Sequence, residues 1–166
     1  MATPEGLRGA PIRDNGCVTG PFAKLHHLCV VVHDIDAAQA FYEAAGIGPW
    51  HDYPPLGEYT ELEMPDPEGF RNLRYRYAWI GDQQLQLCQP GPEPTPQRRF
   101  LDEHGQGVFH VGFEVPDADA AEADAATRGL EPLMRGRRTN GSGFTYFDTA
   151  AQAGVILEIR QSAGRT

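Results

Sequence analysis

The chain has 166 residues, a formal net charge of −9 and three cysteines. A chain of this length buries enough surface to fold without disulfide staples, and its cysteines form no CxxC pair, so they read as reduced thiols of a cytoplasmic protein, with Cys29 and Cys88 as small strand residues. No apolar run nears the roughly 20 residues of a membrane span, the Gly-, Pro-, Asp- and Arg-bearing start lacks the apolar core of a signal peptide, and the acidic balance opposes nucleic-acid phosphates.

Residues 1–20 read as a loosely held arm. Leu25 to Val32 is a short run rich in β-branched residues and reads as a strand. Asp34 and Asp36 then offer side-chain oxygens to a helix start, Ala37, Ala40, Phe41 and Ala44 form one apolar helical stripe, and Gly46 stands where a glycine would stop the helix. Three strand candidates follow: a weak one over Glu58 to Met64, a well-alternating one over Leu73 to Ile80, and Gln84 to Cys88 after the tight Gly81-Asp82 turn. The run from Pro90 to Pro96 separates two halves.

The second half repeats the first. At a constant offset of 83, residues 27–49 match residues 110–132 at 9 of 23 positions, among them His27/His110, Asp34/Asp117, Asp36/Asp119, Gly46/Gly129 and Pro49/Pro132. Val108 to Val115 is the second opening strand. Leu133 to Met134, Gly143 to Asp148 and, after the Ala153-Gly154 turn, Val155 to Arg160 follow the second helix. The expected architecture is α+β: two βαβββ modules in tandem, residues 21–90 and 107–166, with 91–106 as linker, in one structural domain.

A histidine sits inside the opening strand of each copy at equivalent positions, and two related modules that face one another bring equivalent positions close together. In the last strand of each copy, Leu85-Gln86-Leu87 and Leu157-Glu158-Ile159 set one polar side chain between two apolar ones, so it points to the opposite face. A carboxylate that faces a core needs a partner or a metal. Two imidazoles, a carboxylate and an amide oxygen suit a divalent ion such as zinc, nickel, cobalt, manganese or iron. The alternative is that Gln86 and Glu158 face solvent on ordinary amphipathic strands.

The order His27-x6-Asp34, Phe41-Tyr42, Gly46, Leu85-Gln86-Leu87, Gly107-Val108-Phe109-His110 and Ile156-Leu157-Glu158-Ile159 resembles the vicinal oxygen chelate superfamily over about residues 24–160. That superfamily includes glyoxalase I, methylmalonyl-CoA epimerase, extradiol dioxygenases and the fosfomycin and bleomycin resistance proteins. The resemblance implies an open U-shaped mixed sheet around a metal cleft, with one divalent ion per chain held by His27, Gln86, His110 and Glu158, and a homodimer. His26 adjoins His27 but a one-residue shift along a strand turns it to the other face; His33, His51 and His104 read as solvated loop residues.

Within the superfamily the ligand set most resembles that of the methylmalonyl-CoA epimerases, as does Phe100 to Gly107. The implied chemistry is proton abstraction beside a metal-chelated carbonyl of a small carbonyl or acyl thioester substrate, with Glu158 as base. An epimerase needs a second base; the position expected for it holds Asn72, and Glu68, Glu61 and Glu63 are nearby without aligning. A one-base isomerase or lyase, a ferrous dioxygenase using His27, His110 and Glu158, and a non-catalytic antibiotic-binding protein are the alternatives. For an anionic small-molecule substrate, Arg71, Arg74 and Arg76 on one strand face and Arg135, Arg137 and Arg138 offer guanidinium groups. Tyr75, Tyr77, Trp79, Phe144 and Tyr146 offer an apolar wall or ordinary sheet core.

Overall fold

In the computed structural model, which describes residues 19–163, the duplicated segments form the same two elements. β1 (Leu25–Val31) leads into α1 (Ile35–Ala44), and β6 (Gly107–Glu114) into α4 (Ala118–Thr127). Asp34 caps α1 by accepting from the amides of Asp36 and Ala37, and Asp117 caps α4 by accepting from Ala120. Each such cap is worth about 1 kcal/mol. Gly46 and Gly129 take φ values of 86° and 82° just beyond the helix ends, where a side chain would strain the backbone. Apart from residues 19 and 20, the expected arm lies outside the described residues.

The other elements are β2 (Trp50–Asp52), β3 (Glu61–Glu63), α2 (Pro67–Arg71), β4 (Arg74–Ile80), β5 (Gln83–Gln89), α3 (Pro96–His104), β7 (Pro132–Arg137), β8 (Gly143–Phe147), α5 (Ala150–Ala153) and β9 (Ile156–Gln161). The nine strands form one open mixed sheet in the order β2-β4-β5-β1-β6-β9-β8-β7-β3, the α+β arrangement expected. β1 and β6 run antiparallel at its centre, and each lies parallel to the last strand of its own half, β5 and β9. The two histidine strands are therefore neighbours, flanked by the strands of Gln86 and Glu158.

The structure departs from the sequence reading in four segments. The weak strand expected over Glu58 to Met64 shrinks to β3 and pairs with β7 of the other half, Glu61 opposite Arg137 and Glu63 opposite Arg135. Its place beside β4 is taken by Trp50–Asp52, which sequence periodicity left unassigned because three residues show no period. Pro96 does not interrupt structure: it occupies the first turn of α3, whose Thr95 cap accepts from the Arg98 amide. Arg71 lies in α2 and not on the strand face of Arg74 and Arg76. Among the loop histidines, His51 falls in β2 and His104 ends α3, both exposed as expected.

Two β-bulges interrupt the central β1/β6 pairing. The register passes from Leu25↔Phe113 to His27↔Gly112, leaving His26 as an extra residue, and from Cys29↔His110 to Val30↔Val108, leaving Phe109 as the other. His26 and Phe109 are themselves 83 positions apart. The repeat thus carries the bulge as well as the histidine, and each bulge re-aims the side chain that follows it. On the outer face, Val32, Ile35 and Leu87 are buried under α1, and Val115, Ala118, Ala125, Phe147 and Ile159 under α4. The inner face holds Cys29, Val31, Cys88, Phe109, Phe144 and Tyr146. No helix among the described residues is long and apolar enough to cross a membrane.

Candidate metal centre

His27 on β1, His110 on β6 and Glu158 on β9 meet on the inner face, each at least nineteen-twentieths buried. His27 Nε2 lies 2.9 Å from His110 Nε2 and 2.9 Å from Glu158 Oε2, and His110 Nε2 lies 2.9 Å from the same oxygen. Adjacent donors of a six-coordinate ion bound at about 2.1 Å are about 3.0 Å apart, whereas tetrahedral donors are about 3.4 Å apart. The triangle of donor atoms therefore fits one face of an octahedron. Both imidazoles present Nε2, the carboxylate presents one oxygen, and nitrogen with oxygen donors suits a borderline divalent ion.

Burial pushes Glu158 up, but the charges and hydrogen bonds of His27 and His110 outweigh it and hold the carboxyl below the usual carboxylate range. Burial pushes His27 down, more strongly than Glu158 raises it. Near neutral pH the pair is thus an anionic carboxylate and a neutral imidazole, the forms that bind metal.

Gln86 on β5 is buried in the wall of the same cavity. It donates an amide N–H to Gln84 Oε1 at 2.9 Å, which leaves Oε1 as the atom it can offer a metal. The cavity measures about 30 Å³ and is partly open to solvent.

A profile of the Glyoxalase/Bleomycin resistance protein/Dioxygenase superfamily matches residues 26–147. The chain belongs to this superfamily. It is 22% identical to human mitochondrial methylmalonyl-CoA epimerase over 142 residues, covering 84% of this chain and 74% of the human protein. Methylmalonyl-CoA epimerase from Mycobacterium tuberculosis has the same fold, with a TM-score of 0.67, 23% identity, and 89% and 93% of the two chains covered. A methylmalonyl-CoA epimerase in complex with methylmalonyl-CoA and ammonium gives a TM-score of 0.65 at 27% identity, over 85% and 95% of the chains.

Of the residues singled out in the sequence, this superfamily member brings His27, Gln86, Glu158, Tyr75, Tyr146 and Arg138 to the wall of one cavity, and His110 to its donor triangle. Arg74 and Arg76 lie elsewhere: they alternate with Tyr75, point to the opposite face of β4, and pair with Asp36 and, for Arg76, Asp52. The substrate role expected of these two is not supported by that position. Burial raises the Tyr75 and Tyr146 phenols, which stay protonated.

Two further residues went unread, and a third, His26, was set aside. Gln84 shares a strand face with Gln86, so the i, i+2 alternation already pointed to it. Arg160 shares a face with Glu158 for the same reason and also lines the cavity. His26, although turned away from the cavity, reaches the ring beside it, its Nδ1 lying 2.9 Å from His27 Nδ1. When His27 Nδ1–H is the donor in that bond, His27 Nε2 is left for a ligand role. His110 Nδ1 is buried without a partner, and its ring is held instead against Tyr146 at 4.7 Å.

Two expected results follow from these contacts. Gln84→Leu removes the acceptor that orients the Gln86 amide, and affinity for cobalt should fall about tenfold in competition with a chromogenic chelator. Acid should destabilise the metal-free chain from below about pH 6.5. The ordinary histidine value is 6.5; burial first, then the Arg160 charge, push His26 down to about 3, and burial pushes His27 in the same direction. The unfolded chain therefore binds protons that the folded chain refuses, so stability is present above pH 6.5 and lost as pH falls through that window. The slope is up to about 1.4 kcal/mol per pH unit for each histidine. Glu158, also depressed, adds a loss of the same sign below its ordinary 4.5. Urea midpoints at pH 7.5, 6 and 5 measure the fall.

Proposed function

We propose that the chain is a metal-dependent epimerase that abstracts a proton beside the carbonyl of a small acyl thioester. The observation that carries this reading is the triangle of His27, His110 and Glu158 donors, with Gln86 beside it, at one small cavity. A divalent ion held by these four residues would supply Lewis-acid polarisation of the substrate carbonyl. Glu158, ionised at neutral pH, takes the α-proton at a carboxylate oxygen. Among the described residues that line the cavity, Glu158 is the one carboxylate. Asn72 donates to Glu93, Glu68 pairs with Arg71, and Glu63 pairs with Arg135, so none serves as the second base. The cavity lining also carries Tyr53 and Tyr59. Burial raises Tyr59 and keeps its proton on the oxygen, so a phenol is the donor for the second face.

The names of the relatives support an acyl thioester, and the presence of Gln86 beside the triangle speaks for chelation over dioxygen chemistry. A homodimer in the cytoplasm belongs to the same reading, the dimer resting on the resemblance to the superfamily. The test is to incubate one stereoisomer of methylmalonyl-CoA with cobalt-loaded protein in D2O and to follow the α-proton by NMR. Exchange with inversion is expected. Exchange with retention would make the chain a one-base isomerase or lyase, and no exchange at full metal loading would overturn the proton-abstraction reading.

A further inference from the structure

Most arginines among the described residues donate side-chain hydrogen bonds. Arg71, Arg74, Arg76, Arg98, Arg128, Arg135 and Arg137 each donate at least one side-chain hydrogen bond. Arg138 and Arg160 are partly buried, and the Nε of each is buried without a hydrogen-bond partner among the described residues. Both line the cavity that holds His27 and Glu158.

Their charges are only loosely offset. Arg138 Nε is 3.4 Å from Glu58, and its guanidinium lies 4.4 Å over the Tyr59 ring. Arg160 Nε is 3.5 Å from Glu114 Oε2, and Glu114 is itself occupied by the Ser162 amide and hydroxyl at 3.0 Å each. An oxygen-rich ligand in the cavity would give these guanidinium groups the hydrogen-bond partners they lack. Glu158 and Arg160 are two residues apart on one face of β9, so their Cα atoms are about 7 Å apart. A ligand oxygen at the donor triangle and a second acidic group at the arginines can thus belong to one small molecule.

We propose that Arg138 and Arg160 form an anion subsite that takes a carboxylate of the substrate's acyl part, additional to the oxygens a metal would hold. The inference rests on the proposed thioester chemistry for its substrate, but the subsite itself stands on the two guanidinium groups. Planar guanidinium forks match a carboxylate through paired N–H donors. The same chemistry would suit a phosphate of the thioester's carrier, and the experiment separates the two sources.

Full-length protein, metal-free and cobalt-loaded, is titrated calorimetrically with succinate, acetate and inorganic phosphate. Succinate should bind at least tenfold more weakly to Arg160→Met and to Arg138→Met, whereas acetate binding to the cobalt-loaded protein should be unchanged. Arg160→Lys, which keeps the charge and the packed stem, should fold like the parent and recover part of the loss. Arg74→Met, on the other face of the sheet, should bind succinate as the parent does. Succinate affinity unchanged in Arg160→Met and Arg160→Lys would overturn the subsite, and phosphate binding more tightly than succinate would overturn its assignment to the acyl part. Arginine-dependent succinate binding without α-proton exchange would instead leave the subsite standing and remove the proposed reaction.

Discussion

Replacing Glu158 with glutamine is expected to lower α-proton exchange by about a thousandfold or more. A positioned general base contributes about 10²–10⁴ in rate, and the amide cannot take a proton at any working pH. The same change removes the anionic donor of the triangle, whose oxygen lies 2.9 Å from both imidazoles. Metal content per chain, read by elemental analysis, should therefore fall together with exchange. The amide is nearly isosteric with the carboxylate, so the fold should survive and circular dichroism should be unaltered. Exchange within tenfold of the parent would place the base elsewhere.

The second large effect is expected from a single methyl group added beside His27. Gly112 lies opposite His27 across the β1/β6 pairing, and a Cβ built on it would overlap the His27 ring. The obstruction is the imidazole itself, wedged between two strands, so it must leave its place at the triangle. Gly112→Ala should lower cobalt affinity at least tenfold and lower the thermal midpoint as well. Gly57, whose added Cβ would meet nothing within 4 Å, is the control: Gly57→Ala should leave metal binding unchanged. Parent-like cobalt affinity in Gly112→Ala would mean that His27 is not held by this contact.

Much of the metal centre could be read in the amino-acid order because it was duplicated. His27 and His110 are an offset apart, and each Asp-capped helix follows its strand at the same distance. Gln86 and Glu158 were legible by alternation between apolar neighbours. The same rule also pointed to Gln84 and Arg160, but polar residues near strand ends read as solvated until a cavity is known to lie beside them. The bulge at His26 was not legible, since an extra strand residue leaves no mark on a seven-residue pattern.

The crossing of β3 to β7 was hidden for a different reason. Glu61-Leu62-Glu63 alternates as well for one sheet edge as for the other, and what favours β7 is Arg135, which pairs with Glu63 across the edge. Arg135 and Arg137 in turn bond Asp119, so their side chains were committed to the helix side before any substrate could use them. Arg74 and Arg76 misled in the same way: regular spacing of positive charge describes a face but not which way the face looks.

The donors are divided evenly between the halves: His27 and Gln86 come from the first, His110 and Glu158 from the second. Two donors alone hold a divalent ion poorly, so neither half can keep one without the other. An ion held by all four would act as a thermodynamic tie between the halves, because it would bind only where β1 and β6 are docked. At a free concentration a thousand times its dissociation constant, such an ion adds about 4 kcal/mol to the docked state. Chelation should then loosen the seam between the halves before it disturbs either half's own strand and helix.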